Sequence, residues 1–199
     1  MWAPDSMHLS SDDLLTIARK YWRADKAYND TLEAPPEYKR LSALWDEKLR
    51  EDLQRWRAFQ DALRPALSEF SIHDGTTSSE GAFRFMAYAR SPRKPPPFRY
   101  VLVGCISILA PLYTVYGVQY DFVGSERHNP RVSFEPLPPE MRGPAEIISL
   151  GLEATFNVQR LPREVADTPI PLFVHNMEPP RTTLFHAFFD SQPDNLPWP

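Results

Sequence analysis

The sequence predicts an α+β fold in which an N-terminal helical hairpin packs on an antiparallel sheet, with a third helix before the last strand. Three observations lead to this prediction. Apolar residues recur every three or four positions between residues 38 and 67, and side chains alternate in character along 82–90 and 112–122. The chain also has 22 prolines against 7 glycines, which favours short, stiff connections. Its 199 residues suit a single domain, 1–199, that needs no disulfide or metal to support its core.

The predicted helical hairpin covers residues 8–70. Its first helix begins with Ser10 as the N-cap, because two carboxylates follow in the first turn and an apolar residue stands on each side of the cap. Its second helix begins at Pro36, since proline suits the first turn of a helix. This second helix has the strongest 3.6-residue period in the chain, which places Trp45 and Trp56 in the core.

Residues 82–123 are predicted to form three consecutive antiparallel strands, a β-meander. Part of this region, Tyr100–Tyr120, has no charged residue and is long enough to cross a membrane as a helix. Pro111 would remove a hydrogen bond near the centre of such a helix, and the β-branched and tyrosine side chains around it favour extended backbone. The run therefore predicts two buried strands that break at Ala110–Pro111, and no membrane span.

The remaining elements are expected within residues 144–189. A third helix is predicted over Pro144–Val158, since proline again suits the first turn. A stiff, proline-bearing crossover follows it, and Thr182–Phe189 is predicted as the last strand. Residues 71–81 and 124–140, which are rich in glycine, proline or hydroxyl side chains, are predicted as loops.

Charge and cysteine content exclude several classes of protein. The formal net charge is −4, but residues 71–134 carry 7 basic and 4 acidic side chains, whereas residues 135–199 carry 4 and 9. The C-terminal third is therefore expected to present an acidic face. A single cysteine, Cys105, excludes the internal disulfides that are typical of small secreted domains. The N-terminal residues lack the basic and apolar regions of a signal peptide, so a cytoplasmic location is expected.

No pattern of residues points to catalysis, a metal or another cofactor. The five histidines are dispersed and none is paired at helical spacing, which argues against a metal site. His73 and Asp74, which stand beside several hydroxyl side chains, and His128 are the residues that could serve a small hydrolase. The strained nucleophile turn of serine hydrolases is missing from the sequence, so local turn chemistry explains the segment more simply.

Basic residues cluster near the predicted meander and are interleaved with aromatic ones. Arginine beside stackable rings is one signature of proteins that bind single-stranded nucleic acid. The chain is acidic, however, whereas nucleic-acid-binding domains are normally basic. Solvent-facing arginines on alternate strand positions are therefore the preferred interpretation, and no nucleic-acid partner is expected. The cluster comprises Arg84, Arg90, Arg93, Lys94 and Arg99.

The C-terminal quarter of the chain contains four segments in a recognisable order. They are the apolar helix Ile147–Val158, the sequence LPREVA at Leu161–Ala166, the proline-bearing Pro169–Pro171, and Thr183–Asp190 with the pattern T-x-F-x-x-x-F-D. This order resembles the C-terminal ends of small proteins from myxobacteria and similar bacteria. Some of those proteins are immunity proteins encoded beside polymorphic toxins. The resemblance implies a protein partner and transfers no functional residue.

The function favoured by these observations is that of a non-enzymatic immunity protein that occludes a cognate protein toxin. Occlusion needs only surface shape and complementary charge, which agrees with the acidic C-terminal third. A small hydrolase that uses the histidine and aspartate side chains above, and a helix-mediated assembly module, are the alternatives. The carboxylates expected to contact a basic toxin stand in stiff, proline-rich segments and are Glu135, Glu140, Glu164, Asp167 and Glu178.

Overall fold

The computed structural model describes residues 9–25, 34–92 and 96–198, and it confirms the α+β class. The first elements along the chain are α1 (Ser11–Ala18), α2 (Pro36–Ala66), β1 (Phe70–Asp74), β2 (Ala82–Arg90) and β3 (Phe98–Ser107). They are followed by β4 (Leu112–Val123), β5 (Glu126–Ser133), α3 (Pro139–Phe156), β6 (Gln159–Arg160), α4 (Arg163–Ala166) and α5 (Leu184–Phe188).

Strands β1 to β5 form an antiparallel sheet in which sequence order and spatial order are the same. The meander predicted over residues 82–123 is therefore confirmed. The short strand β6 adds a parallel pairing at the beginning of β4, where Tyr113 is the register partner of Arg160. Tyr113 is also paired with Ile106 of β3, so β6 must lie on the same side of β4 as β5.

Two segments predicted as loops contain edge strands of this sheet. Most of β1 falls within residues 71–81, and β5 falls within residues 124–140. Pro130 has no register partner, because it stands where the pairing of β4 with β5 shifts, and its missing N–H therefore costs no hydrogen bond of the ladder. Both loop predictions were wrong because edge strands tolerate polar and proline-bearing sequences.

The uncharged run Tyr100–Tyr120 is extended, as predicted. It supplies most of β3 and the first part of β4, and the chain turns between these strands at residues 108–111. Within the described ranges, no helix has the length and the apolar content needed to cross a membrane.

Helices α2 and α3 cover one face of the sheet. The Trp56 side chain is fully buried, and its ring centroid lies 5.5 Å from that of Phe83 and 5.8 Å from that of Phe85. Trp45 is also buried, so the prediction of two core tryptophans is confirmed. The apolar residues of α2 are less buried near the start of the helix, where Tyr38 remains 57% exposed.

Helix α3 begins at Pro139, ahead of the predicted start at Pro144. Pro144 lies inside the helix and has no N–H to donate to the carbonyl of Glu140. That carbonyl instead accepts a hydrogen bond from the hydroxyl of Tyr100 at 2.8 Å. The predicted start was wrong because a side chain from the sheet satisfies the carbonyl that the internal proline leaves free.

Residues 184–198, named here the C-terminal cover, lie on the opposite face of the sheet. Tyr88 and Tyr120 donate hydrogen bonds to the carbonyls of Pro197 and Asp194, at 2.5 and 3.0 Å. The central strands are consequently buried on both faces, and the sheet is the middle of three layers.

Helix α1 has the N-cap that the sequence predicts. The Ser10 hydroxyl accepts a hydrogen bond from the Asp13 N–H, and the Asp13 carboxylate accepts one from the Ser10 N–H. The helix packs against α5, whereas α2 packs against β1 and α3. Just beyond α1, the Trp22 indole donates a hydrogen bond to the carbonyl of Ala187 at 2.9 Å. Helix α1 and Trp22 therefore join the C-terminal cover.

The segment Thr182–Phe189, predicted as the last strand, contains helix α5 instead. The N–H of Thr183 donates a hydrogen bond to Nδ1 of His186 at 3.0 Å, as part of a capping box. The prediction was wrong because α5 is buried on nearly every side. Its apolar residues therefore follow neither the 3.6-residue period of a surface helix nor the two-residue period of a strand. The last strand of the fold is β6.

Candidate protein-binding groove

An open groove of about 920 Å³ lies between the loop before α3, the first turns of α3, and the segment from β6 to α4. Prolines 136 and 162 stiffen the backbone at two of its sides. The groove is lined by three carboxylates and three guanidinium groups, so its charge is mixed rather than acidic. These six residues are Glu135, Glu146, Glu164, Arg142, Arg160 and Arg163.

Close packing of α3 on β4 sets the base of the groove. Leu137 and Met141 are buried and both lie over Gly117 of β4. A Cβ atom at this glycine would collide with the sulfur of Met141, so the absent side chain allows the helix to approach the strand closely.

Arg160 joins the elements around the groove. Its Nε donates a hydrogen bond to the Tyr113 hydroxyl at 3.2 Å, and its Nη2 donates one to Ser149 Oγ at 2.6 Å. Its Nη1 forms an ion pair with Glu135. Tyr113 in turn donates to Glu153 Oε1 at 2.5 Å, and burial together with this carboxylate raises the pKa of Tyr113. Arg160 and Glu135 therefore hold the groove in shape.

Arg163, the first residue of α4, has a donor that the fold does not use. Its guanidinium lies 3.6 Å from the centre of the Phe134 ring and forms an ion pair with Asp167. Its Nη1 is buried and has no hydrogen-bond partner among the described residues. A buried donor without an acceptor is destabilising, and this atom is shielded from the surface, so a partner in the groove would not reach it.

Arg142, Glu146 and Glu164 complete the set of unused charges. Arg142 Nε donates to the carbonyl of Leu137 at 2.7 Å, which orients the side chain and leaves its terminal nitrogens without a partner in the described ranges. Glu146 and Glu164 are exposed, and neither forms an ion pair with any described residue. The groove thus offers free donors and free acceptors side by side.

The structure brings together some of the carboxylates predicted to bind a partner. Glu135 and Glu164 line the groove, and Asp167 stands behind it as the ion-pair partner of an arginine. Glu140 is hydrogen-bonded towards β4 instead, and Glu178 belongs to a turn later in the chain. Because arginines neutralise Glu135 and Asp167, Glu164 is the groove carboxylate of this set that stays free for a partner.

Local sequence patterns do not predict most of the arginines in the groove. The count of charged residues over 135–199 gives a net acidic charge but does not show where each side chain lies in the fold. The ion pair of Arg163 with Asp167 has the i,i+4 spacing of a helix and was detectable in LPREVAD. Arg142 and Arg160 line the same groove only because of tertiary packing, which no local pattern shows.

A second, smaller groove of about 380 Å³ lies between α2 and the turn from β3 to β4. Its floor includes Phe83 and Phe156, and its charged rim is largely satisfied within the fold. Lys48 lies 3.5 Å from Asp52, and Arg55 donates a hydrogen bond to a carbonyl near the end of α3. The larger groove is therefore the better candidate for a partner.

The residues considered for hydrolysis do not share a site. His73 lies in β1 and His128 in β5, the two edges of the sheet, which are separated by four strand spacings or roughly 19 Å. Asp74 accepts hydrogen bonds from the N–H of Thr76 at 3.1 Å and from its hydroxyl at 2.7 Å. This is the local turn chemistry that the sequence predicts. Among the described residues, no group of three or more possible ligands could hold a metal ion.

Arg84, predicted to face solvent, packs against the C-terminal cover, and its side chain is only 14% exposed. Its Nη1 lies 2.5 Å from Asp190 Oδ2, which also accepts a hydrogen bond from the Tyr116 hydroxyl at 2.8 Å. The prediction was wrong because alternation along a strand does not show that a later segment covers the second face. In the rest of the basic cluster Arg90 and Arg99 are exposed, and Arg93 and Lys94 lie outside the described residues.

Glu80 is a second charged group beneath the C-terminal cover. Its carboxylate accepts hydrogen bonds from the N–H of Ser191 at 3.0 Å and from the Ser191 hydroxyl at 2.5 Å. Burial raises the pKa of Glu80 to about 7, opposed by these hydrogen bonds and reinforced by the neighbouring Asp190. The folded protein therefore retains a proton here that the unfolded chain releases near pH 4.5.

The contribution of Glu80 to stability is expected to fall as the pH rises from about 4.5 to about 7. In this window the folded state binds up to one more proton than the unfolded state, so raising the pH favours unfolding by at most about 1.4 kcal/mol per pH unit. Urea unfolding at several pH values, for the native protein and for Glu80→Gln, measures the effect. The glutamine can still hydrogen-bond to Ser191 but cannot ionise, so it should lack this part of the slope. Equal slopes would contradict the assignment.

Comparison with known proteins does not assign a family. No protein-family model matches the chain, and no curated protein or solved structure matches it significantly. The groove itself is therefore the basis for inferring a function.

Proposed function

We propose that this chain is a cytoplasmic, non-enzymatic immunity protein that neutralises a cognate protein toxin by occlusion. The observation that carries the proposal is the groove, where the unused terminal donors of Arg142 lie beside the free carboxylates of Glu146 and Glu164. A partner that supplies charges of both signs would satisfy all three groups. Charge complementarity of this kind orients a protein partner and discriminates against wrong ones.

The mixed charge of the groove favours a protein over a nucleic acid. A phosphate backbone offers acceptors to the arginines, but it repels the carboxylates that line the same groove. A folded toxin carries both lysine or arginine and aspartate or glutamate on its surface, and it can match the two sets together.

The rigidity of the groove suits occlusion, which needs a preset surface and no reacting group. Proline residues fix its loops, and the Arg160 network ties β4, β6 and α3 together. Little conformational entropy is then lost when a partner docks, so more of the interaction energy appears as affinity.

Charge reversal in the groove tests this proposal. In cells that produce a toxin encoded beside this chain, Glu146→Lys combined with Glu164→Lys should reduce protection and slow complex formation by about tenfold at low salt. Asp46→Lys combined with Glu47→Lys makes the same change of charge at exposed positions of α2 and should leave protection unchanged. Equal losses in both double variants would contradict a role for the groove.

The hydrolase alternative predicts the opposite pattern. Under occlusion, His73→Ala and His128→Ala should leave protection and complex formation intact. If the histidine variants alone lose protection, catalysis replaces occlusion as the interpretation.

A further inference from the structure

The end of the C-terminal cover, residues 190–198, is named here the terminal strap, and it lies on the sheet without forming a helix or a strand. Side chains of the sheet hold it by donating hydrogen bonds to its carbonyls, as Arg127 Nη1 does to Leu196 at 2.8 Å. Within residues 192–198, Leu196 alone is buried. A segment with so little buried apolar surface should open at a lower free energy than the whole domain.

Two carboxylates meet where the terminal strap begins. Asp190 Oδ2 lies 2.5 Å from Arg84 Nη1. The next strap residue, Ser191, donates both of its hydrogen bonds to the Glu80 carboxylate. Glu80 forms no ion pair of its own with any described residue, although Arg84 is close enough to attract it. The covered site therefore holds two acids and one guanidinium group.

The neighbouring groups on the strands keep their charge while Glu80 titrates. Burial lowers the pKa of Arg84, but the attraction of Asp190 outweighs it and raises that pKa, so Arg84 stays positive. Burial raises the pKa of Cys105 on β3 and of Tyr116 on β4 well above their usual values, so both stay neutral. Glu80 is therefore the group on the strands that changes charge near neutral pH.

The nearby helices add no competing charge. The Trp45 indole of α2 is uncharged and donates a hydrogen bond to the Glu80 carbonyl at 2.9 Å. His186 of α5 is attracted by Asp190, but burial lowers the pKa of this histidine, so it loses its charge before Glu80 does. His186 also lies outside the terminal strap and stays in place when the strap opens.

Closing the terminal strap binds a proton at Glu80. Burial, reinforced by Asp190, raises the pKa of Glu80 to about 7 while the strap is closed. When the strap lifts, the carboxylate meets water, its pKa returns towards 4.5, and Arg84 becomes available as its counter-ion. The contribution of Glu80 to closure is therefore full below about pH 4.5 and is lost as the pH rises to about 7.

We propose that the terminal strap is a pH-dependent lid, which lifts from the folded sheet when Glu80 and Asp190 are both negatively charged. The proposal goes beyond the function proposed above, since it requires no toxin. It also differs from a loss of overall stability, because the sheet and the helices on its other face stay folded while the strap is open.

The single cysteine of the chain reports on this opening without an engineered probe. Cys105 is fully buried, and it is the register partner of Arg84, so both side chains lie on the covered face. Its thiol feels the charges of Asp190 and Glu80, which places it beside the start of the strap. The rate of labelling by excess DTNB, divided by the rate for the same chain unfolded in urea at the same pH, measures how often the thiol is exposed.

This relative labelling rate should rise about tenfold between pH 6 and pH 8 in the native protein. Glu80→Gln cannot ionise and keeps a hydrogen bond to Ser191, so its rate should rise by less than about twofold. The matched control is Glu126→Gln, which removes an exposed carboxylate from β5 and should keep the tenfold rise. An equal rise in native protein and Glu80→Gln would overturn the proposal.

Urea distinguishes opening of the terminal strap from complete unfolding, which also becomes easier as the pH rises. Opening of the strap exposes little surface, so urea well below the unfolding transition should hardly change the labelling rate. A labelling rate that increases with urea as steeply as complete unfolding does would overturn the proposal, and so would a rate in the native protein that is constant from pH 6 to pH 8. Both measurements use the native chain, so they decide the question even if Glu80→Gln does not fold.

Discussion

Asp190→Ala is expected to destabilise the protein by about 3–5 kcal/mol, because it leaves the Arg84 guanidinium buried without its counter-ion. The side chains of these two residues are only 1% and 14% exposed, and 2.5 Å separates the bonded atoms. The Tyr116 hydroxyl loses its acceptor in the same substitution. Urea unfolding, with the midpoint and the slope of the transition compared with the native protein, measures the loss.

A double substitution shows whether the loss of stability comes from the broken ion pair or from altered packing of the core. Arg84→Met combined with Asp190→Leu removes both charges together and should recover most of the stability lost in Asp190→Ala. The recovery should be incomplete, because Arg84 Nε also donates to the carbonyl of Gly75 at 3.1 Å. Arg84→Met and Asp190→Leu are also measured separately. If their losses in the free energy of unfolding simply add in the double variant, the two side chains are not coupled and the interpretation is wrong.

Trp56→Ala is expected to destabilise the protein by about 3–5 kcal/mol, since it empties the space of a fully buried indole. The ring projects from α2 towards the sheet and the end of α3. Its centroid lies 5.8 Å from that of Phe59 and 5.9 Å from that of Phe156. A loss of this size is a large part of the stability of an ordinary domain. The melting temperature and the urea midpoint should both fall clearly.

The matched control on the same helix is Tyr38→Ala. This aromatic residue belongs to the same 3.6-residue pattern but is 57% exposed, so its removal should change the free energy of unfolding by less than about 0.5 kcal/mol. If Trp56→Ala left the melting temperature unchanged and abolished binding of a partner, the apolar stripe of α2 would be an interface rather than core.

The parts of the fold that the sequence predicts are those with a local physical signature. The capping box at Ser10, the 3.6-residue period around Trp56 and the proline that interrupts the uncharged run are each visible within a few residues. Each reflects an interaction between near neighbours in the chain, so no knowledge of the tertiary structure is required.

The parts that the sequence does not predict depend on partners distant in the chain. Pro144 stays helical because Tyr100, from another element, donates a hydrogen bond to the free carbonyl. Arg84 is largely shielded from solvent because it forms an ion pair with Asp190. The groove is of the same kind, since its charges come from three separate segments. Only the ion pair of Arg163 with Asp167 could have been recognised from spacing alone.

The C-terminal cover also has a consequence for biosynthesis. The ribosome adds residues 184–198 after the whole sheet, and the hydrogen bonds of Ser191 to Glu80 join residues that are 111 positions apart. Until the cover is made, Tyr88, Phe98 and Tyr116 on that face of the sheet have nothing from this segment to pack against. A nascent or prematurely released chain would therefore expose a wide aromatic surface, which is what chaperones and proteases recognise. Closing such long-range contacts is slow, so the yield of folded protein should depend on how well the cell protects this intermediate.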